Sequence, residues 1–278
     1  MEILHVTHPL DEGLVQEPSV MALGFFDGVH LGHQRLFQKA KELARDSQLP
    51  FTVMTFDPHP SEVIGHKTGR GYLTPLPDKL ERISSFGADK VYVVNFNLLF
   101  ASLPPSEFIR HYLVSLQVKH VVVGFDFRFG CKAAGDAEFL KKFSGGFDVT
   151  IIPKVTNDEH KISSTFIRNL ISDGDVHLVP HYLGKHYEIS GSVMFRSHQS
   201  SYFHMENNYL SPKLGLYQVE VTNGFKTCLG MLKCCNETPN RFELLDVHQG
   251  VLEGGECGGI TIKFLYRALD MRGASALA

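Results

Sequence analysis

The stretch Gly24-Phe25-Phe26-Asp27-Gly28-Val29-His30-Leu31-Gly32-His33 decides the fold, because it joins an apolar run to an amphipathic segment. The preceding run, Val20-Met21-Ala22-Leu23, is continuously apolar, which is typical of a strand covered on both faces. A helix with one buried stripe is predicted next, from apolar residues at three- and four-residue spacings: Leu36, Phe37, Ala40, Leu43 and Ala44. A glycine-containing turn from strand to helix is typical of a parallel α/β sheet.

The alternation of strands and helices continues to about Leu183. Further continuous apolar runs predict strands of the same sheet at 51–56, 91–94, 120–123 and 149–152. Amphipathic helices are predicted over 77–86 and 105–116, and Gly87 suits the left-handed end of the first. The fold class is therefore α/β, with a doubly wound parallel sheet.

After Leu183 the pattern changes to alternating segments rich in β-branched and aromatic residues, without convincing helices. These segments predict strands at 189–195, 215–222, 227–234, 242–247 and 260–269. Asn223-Gly224 lies between two of them and is a turn signal. We therefore expect a small antiparallel β-barrel, with domains at residues 1–183 and 184–278.

Composition excludes several classes of protein. The net charge is -3, the pI is about 6.6 and 43% of the residues are hydrophobic, so the chain is an ordinary globular protein without a field that gathers nucleic acid. No signal peptide or membrane-length apolar segment is found, and we expect a cytoplasmic protein. The five cysteines have no Cys-x-x-Cys spacing, which predicts reduced thiols and no metal site built from them.

The start of the first helix has the chemistry of a phosphate site. Unpaired backbone N–H groups and partial positive charge attract anions there. His30 and His33 are close enough in sequence to reach the same phosphate oxygens, and Gly32 removes a Cβ that would obstruct a ligand. Ordinary turn glycines beside a solvated histidine pair would give the same four-residue pattern.

A second segment, Lys161-Ile162-Ser163-Ser164-Thr165-Phe166-Ile167-Arg168, precedes a helical pattern. Its three hydroxyls could cap that helix, and capping is compatible with phosphate binding. Arg168, about one turn later, offers a permanent cation and a planar set of donors.

The first stretch resembles the His-x-Gly-His signature of the adenylyltransferase superfamily, whose histidines bind and stabilise a triphosphate. Together with the Ile-Ser-Ser-Thr-x-x-Arg stretch it resembles the prokaryotic FAD synthetase family. Two further segments agree: Thr55-Phe56-Asp57-Pro58-His59-Pro60, and Val123-Gly124-Phe125-Asp126-Phe127-Arg128-Phe129-Gly130 with Gly135-Asp136. The resemblance runs in order from about residue 18 to residue 183.

The resemblance implies an FMN adenylyltransferase that uses ATP and FMN, with Mg²⁺ bridging phosphate oxygens. It implies five catalytic residues: His30, His33, Ser164, Thr165 and Arg168. It also implies nucleotide- and flavin-binding residues: Gly24, Phe25, Phe26, Asp27, Gly32, Ser163, His59, Pro60 and Asp126. Asp27 could orient the nucleotide or a metal-bound water, or serve only the turn. Either core packing or contact with the flavin ring is open for four aromatic residues: Phe56, Phe125, Phe127 and Phe129.

The second domain departs from the family pattern. Leu183-Gly184-Lys185-His186-Tyr187 resembles the opening of a riboflavin kinase barrel, but residues 194–208 lack the Pro-Thr-Ala-Asn kinase motif. Glu243 is the nearest candidate for the kinase base, and without a phosphate-binding loop it cannot carry out the transfer. The sequence therefore predicts a monofunctional FAD synthetase whose barrel serves packing, homo-oligomer formation or a second flavin site.

Three alternatives stay open at this point: a bifunctional riboflavin kinase/FAD synthetase, a non-catalytic flavin or nucleotide sensor, and an adenylyltransferase with another acceptor. Intact His30, His33 and Arg168 argue against the sensor. The flavin-side segments argue against another acceptor.

Overall fold

The structure, a computed structural model, describes residues 1–11, 13, 16–65, 69–143, 145–157, 160–197, 200–235, 240–252 and 259–269. Contacts divide the chain into two compact units. One comprises Met1–Arg70 and Leu76–Thr156, and the other comprises Gly71–Pro75 and Asn157–Ala278. Residues 157–183 therefore belong to the same compact unit as the barrel. The domain boundary expected after residue 183 from the sequence stays a prediction.

The first unit is built on six parallel strands. They are β1 (Glu2–Val6), β2 (Ser19–Leu23), β3 (Phe51–Asp57), β4 (Lys90–Asn95), β5 (Val118–Gly124) and β6 (Asp148–Ile152). Their order in the sheet is β1-β4-β3-β2-β5-β6. The chain builds outward from β2 through β3 to β4 and returns to the other side of β2 for β5. The switch in direction between β2 and β5 opens a crevice at their carboxyl ends, where α/β sheets bind ligands.

Helices cover the sheet because both of its faces are apolar. Val20 and Ala22 pack in one buried cluster and Met21 and Leu23 in the other, as the two-residue period of a strand requires. The helices of this unit are α1 (Leu31–Ser47), α2 (Pro60–Val63), α3 (Leu76–Ser85), α4 (Leu98–Ala101), α5 (Pro105–Ile109) and α6 (Ala137–Lys142). The helix expected over 105–116 is α5 followed by a π-helical turn at Arg110–Val114.

The second unit contains a closed antiparallel barrel. Its strands are β7 (Glu188–Ser197), β8 (Ser200–Met205), β9 (Gly215–Thr222), β10 (Thr227–Cys234), β11 (Arg241–Leu245) and β12 (Ile260–Leu269). They follow one another around the barrel in the order β7-β8-β11-β10-β9-β12. The helices α7 (Ser164–Asp173), α8 (Pro180–Leu183) and α9 (Gln249–Leu252) accompany it. Both parts of the predicted fold class are therefore confirmed.

The remaining regular segments are short. Two-residue strands lie at Arg128–Phe129, Gly135–Asp136, Thr156–Asn157 and His160–Lys161, and 3₁₀ turns at Cys131–Ala133 and Val176–Leu178. Four cysteines are free thiols, and the fifth, Cys257, lies outside the described residues. A search of the described helices finds none with the length and hydropathy of a membrane span.

Candidate functional site

The turn that follows β2 has an unusual backbone. Phe26, Gly28 and Val29 have φ angles of 61°, 85° and 46°. A β-branched residue such as Val29 rarely adopts positive φ, and backbone strain of this kind clusters at functional sites. Gly24 is required here because a Cβ would lie 2.8 Å from Cε1 of the buried Phe26 ring. The turn is therefore held in one conformation at the switch point of the sheet.

This turn places two histidines on the first turn of α1. His30 is the N-cap, and its Nδ1 accepts a hydrogen bond from the backbone N–H of His33 at 3.3 Å. A neutral His30 that accepts at Nδ1 carries its proton on Nε2, so Nε2 is a donor. The two rings are stacked, with centroids 3.6 Å apart and planes 16° apart. The structure thus brings together the predicted imidazole pair.

The electrostatics of the site favour a neutral His33. Burial, with the neighbouring His30 and Lys79, holds the pKa of His33 well below its ordinary value of 6.5. Nδ1 of His33 is buried, and no hydrogen-bond partner for it exists among the described residues. A neutral His33 stacks on His30 without charge repulsion between the rings, and it can present an N–H or a lone pair to a ligand.

Asp27 is joined to the segment after β3 by a chain of polar side chains. Its carboxylate is 2% exposed, and Oδ2 lies 3.9 Å from Nη2 of Arg70. Nη1 of Arg70 donates to Oγ of Ser61 at 3.3 Å, and that oxygen lies 2.8 Å from Nδ1 of His59. The polar chain therefore connects the turn after β2 to the segment after β3.

The residues predicted to face the flavin follow β3 and β5. His59 is the N-cap of α2, where Nδ1 accepts from the N–H of Ser61 at 3.0 Å, and Pro60 is the first residue of that helix. Asp126 follows β5, beside Phe125, and both are exposed. Because β3 and β5 flank β2, these residues follow the strands that border the histidine turn.

The aromatic residues named from the sequence divide between core and surface. Phe26, Phe56 and Phe129 are buried in the hydrophobic core. Phe127 is partly buried against the same core, whereas Phe125 is 43% exposed. Packing therefore accounts for most of this set, and Phe125 is the member accessible to a ligand.

Sequence reasoning missed Lys79 and Arg70. Lys79 is 2% exposed, and its ammonium lies 4.2 Å from the centroid of the Phe25 ring. A signal for it exists in the sequence, because Leu76, Lys79, Leu80 and Ile83 share one helical stripe, and a lysine in such a stripe must be buried with partners. Arg70 lies in a loop, where no periodic pattern could indicate its pairing with Asp27.

The second predicted segment opens α7. Ser163 is the N-cap, and its hydroxyl accepts from the N–H of Phe166 at 3.2 Å. Ser164 begins the helix, Thr165 is exposed, and Nη1 of Arg168 donates to the carbonyl of Gly71 at 2.6 Å. These residues belong to the second compact unit and the histidines to the first. Their meeting at one triphosphate remains a prediction.

The described residues hold no group of three His, Cys, Asp or Glu side chains arranged to bind a metal ion. Mg²⁺ does not need such a group, since it commonly keeps several waters and binds through substrate phosphates with one or two carboxylates.

A parallel sheet with a strained, histidine-bearing helix start at its switch point defines the site of a nucleotide-binding α/β enzyme. Comparison with known proteins narrows this class. Residues 14–166 match the model of the FAD synthetase family. The bifunctional riboflavin kinase/FMN adenylyltransferase of Listeria monocytogenes is 41% identical over 241 residues, 83% of this chain and 77% of that protein. The Bacillus subtilis enzyme of the same name is 40% identical over 242 residues, 81% and 76% of the two chains.

Among solved structures, a Streptococcus pneumoniae protein described as a macrolide-efflux protein matches with a TM-score of 0.86. It is 30% identical, and the match covers 98% of this chain and 92% of that one. The chain belongs to the FAD synthetase family. It is accordingly an enzyme of the nucleotidyltransferase class.

Proposed function

We propose that this enzyme transfers AMP from ATP to FMN, giving FAD and pyrophosphate, and that it does not phosphorylate riboflavin. One observation carries the transfer: the strained turn after β2 holds two stacked imidazoles at the N-terminus of α1. The N-terminus of the 17-residue helix α1 supplies backbone N–H donors and partial positive charge to the phosphates.

The reaction is a displacement at phosphorus. A phosphate oxygen of FMN attacks the α-phosphorus of ATP as the bond to pyrophosphate breaks, so no nucleophilic side chain is needed. The protein must position two anions and stabilise the charge that grows on the leaving oxygens. We assign this role to Nε2–H of His30, to His33, and to the Ser164, Thr165 and Arg168 set on α7.

The acceptor side uses the loops after β3 and β5. His59 and Pro60 open α2, and Asp126 follows β5 beside the exposed Phe125. We assign the FMN ring to these loops, with Phe125 as its aromatic contact. Mg²⁺ would arrive on the phosphates of ATP and neutralise part of their charge. We place the enzyme in the cytoplasm, where ATP and FMN are available.

The absence of kinase activity is inferred from the barrel. Residues 194–208, which lack the kinase motif, fall on β7 and β8 and the chain that follows them, with His198 and Gln199 outside the described residues. Glu243 accepts a hydrogen bond from Nζ of Lys233 at 3.0 Å. The Lys233 ammonium thus occupies the carboxylate that would have to accept a proton from riboflavin.

Purified enzyme tests both parts. FMN, ATP and Mg²⁺ should yield FAD and pyrophosphate, measured by chromatography and a pyrophosphate assay. Riboflavin, ATP and Mg²⁺ should yield no FMN. No FAD from the first mixture would refute the transfer, and FMN or FAD from the second would show a bifunctional enzyme.

A further inference from the structure

Lys79 is a charged side chain buried inside the first unit, beside the histidine turn. It is 2% exposed, and its Nζ donates to two backbone carbonyls, those of Phe25 at 3.2 Å and Phe56 at 3.4 Å. A buried ammonium is costly unless it is hydrogen-bonded and compensated by nearby charge or dipoles. Packing alone would be served better by an apolar residue, so the charge itself needs a reason.

The two carbonyls belong to different parts of the site. Phe25 lies in the turn after β2, and Phe56 lies near the end of β3. The Phe25 carbonyl also accepts from Oγ1 of Thr55 at 2.8 Å. Lys79 and Thr55 therefore fix the same peptide group, and with it the start of the turn that leads to His30.

The Phe25 side chain is fixed by the same ammonium. Nζ lies 4.2 Å from the centroid of the ring, a cation–π contact. The ring also makes an edge-on contact with His59, with centroids 4.4 Å apart. The Lys79 ammonium thus contacts both the main chain of the turn after β2 and the Phe25 ring that packs on His59.

We propose that Lys79 is a positioning residue for nucleotide transfer, which in its charged form holds the Phe25 peptide and ring so that the phosphate turn and His59 keep their working geometry. The proposal rests on the function proposed above. It predicts that activity depends on the charge of Lys79, and not only on the volume of its side chain.

The surrounding charges set where that dependence appears. Asp27 in the turn and Asp57 at the end of β3 raise the pKa of Lys79, but burial outweighs them and lowers it from 10.5 to about 8. His33 on α1 also faces the ammonium, and Arg70 acts on it through its ion pair with Asp27. Since the charged form is the active one, activity should fall as the pH rises through about 8.

The test compares kcat and KM for FMN and ATP in the wild type, Lys79→Arg, Lys79→Met and Asp57→Asn, from about pH 6.5 to pH 9.5. The matched control is Lys39→Met, which removes a surface lysine paired with Glu42 on α1. Lys79→Met should lower kcat by about tenfold or more with smaller changes in KM. Lys79→Arg should restore activity and move the alkaline loss to higher pH, because arginine stays charged. Asp57→Asn should move the alkaline loss to lower pH.

Wild-type activity retained in Lys79→Met, or an alkaline loss at the same pH in wild type, Lys79→Arg and Asp57→Asn, would overturn the proposal. If circular dichroism shows that Lys79→Met does not fold, Lys79→Arg and Asp57→Asn still test the proposal, because they should move the alkaline loss of activity in opposite directions. If the wild type and Lys39→Met make no FAD at any pH, the proposed function is refuted instead.

Discussion

His33→Gln should make stability less sensitive to acid. The folded protein holds the pKa of His33 well below 6.5, the value expected for the unfolded chain. Between those two values the unfolded state binds a proton that the folded state does not, so stability is lost as the pH falls below about 6.5 and is fully present above it. One proton of difference corresponds to at most about 1.4 kcal/mol of unfolding free energy per pH unit. Glutamine does not titrate and keeps a polar group of similar reach.

Urea denaturation followed by far-ultraviolet circular dichroism, from about pH 5 to pH 8, measures this slope. Below about pH 6.5 the wild type should lose up to about 1.4 kcal/mol more per pH unit than His33→Gln, and the two lines should be parallel above it. His177→Gln, which replaces an exposed histidine on the second unit, is the control and should follow the wild type. Equal slopes for wild type and His33→Gln would refute the placement of a buried neutral imidazole.

Three further substitutions test other parts of the site. Gly24→Ala places a Cβ 2.8 Å from the buried Phe26 ring, so thermal or urea denaturation should show a loss of about 1–3 kcal/mol, and an unchanged midpoint would contradict the packing of the turn. Arg168→Lys keeps the charge but loses the planar donors, so kcat for FAD formation should fall about tenfold or more in steady-state assays, while wild-type kcat would remove Arg168 from the reaction. Glu243→Gln should leave FAD formation within about twofold of the wild type, because Glu243 pairs with Lys233 and lies outside the residues assigned to adenylyl transfer, and a larger loss would show that the barrel contributes.

Sequence patterns located most of the sheet and barrel, because their signals are local. The runs at 215–222, 227–234 and 260–269 coincide with β9, β10 and β12, where buried residues alternate with more exposed ones along most of each strand. β1 (Glu2–Val6) and β8 (Ser200–Met205) were not predicted. Each mixes polar and apolar residues. β1 pairs with β4, which is distant in the chain, and β8 forms a hairpin with β7. Such pairing is a tertiary effect that a short window of sequence does not contain.

The site shows the same division. The turn at 24–33 could be assigned to phosphate because a glycine-containing stretch between strand and helix has a known physical role. The stacking of His30 on His33, the ion pair between Asp27 and Arg70, and the burial of Lys79 depend on which side chains the fold brings together. Asn223-Gly224 was predicted as a turn because both residues tolerate positive φ, and of the two only Gly224 adopts it, at 86°. Oδ1 of Asn223 instead accepts from the N–H groups of Phe225 and Lys226.

The closure of the barrel bears on how the second unit could persist without kinase activity, as proposed above. In a closed cylinder every strand has a neighbour on both sides, so no row of unpaired backbone groups invites edge-to-edge aggregation. Loops at the ends of the barrel can therefore change sequence without exposing an unpaired strand edge. The barrel could therefore lose the kinase motif, as proposed above, without becoming prone to edge-to-edge aggregation.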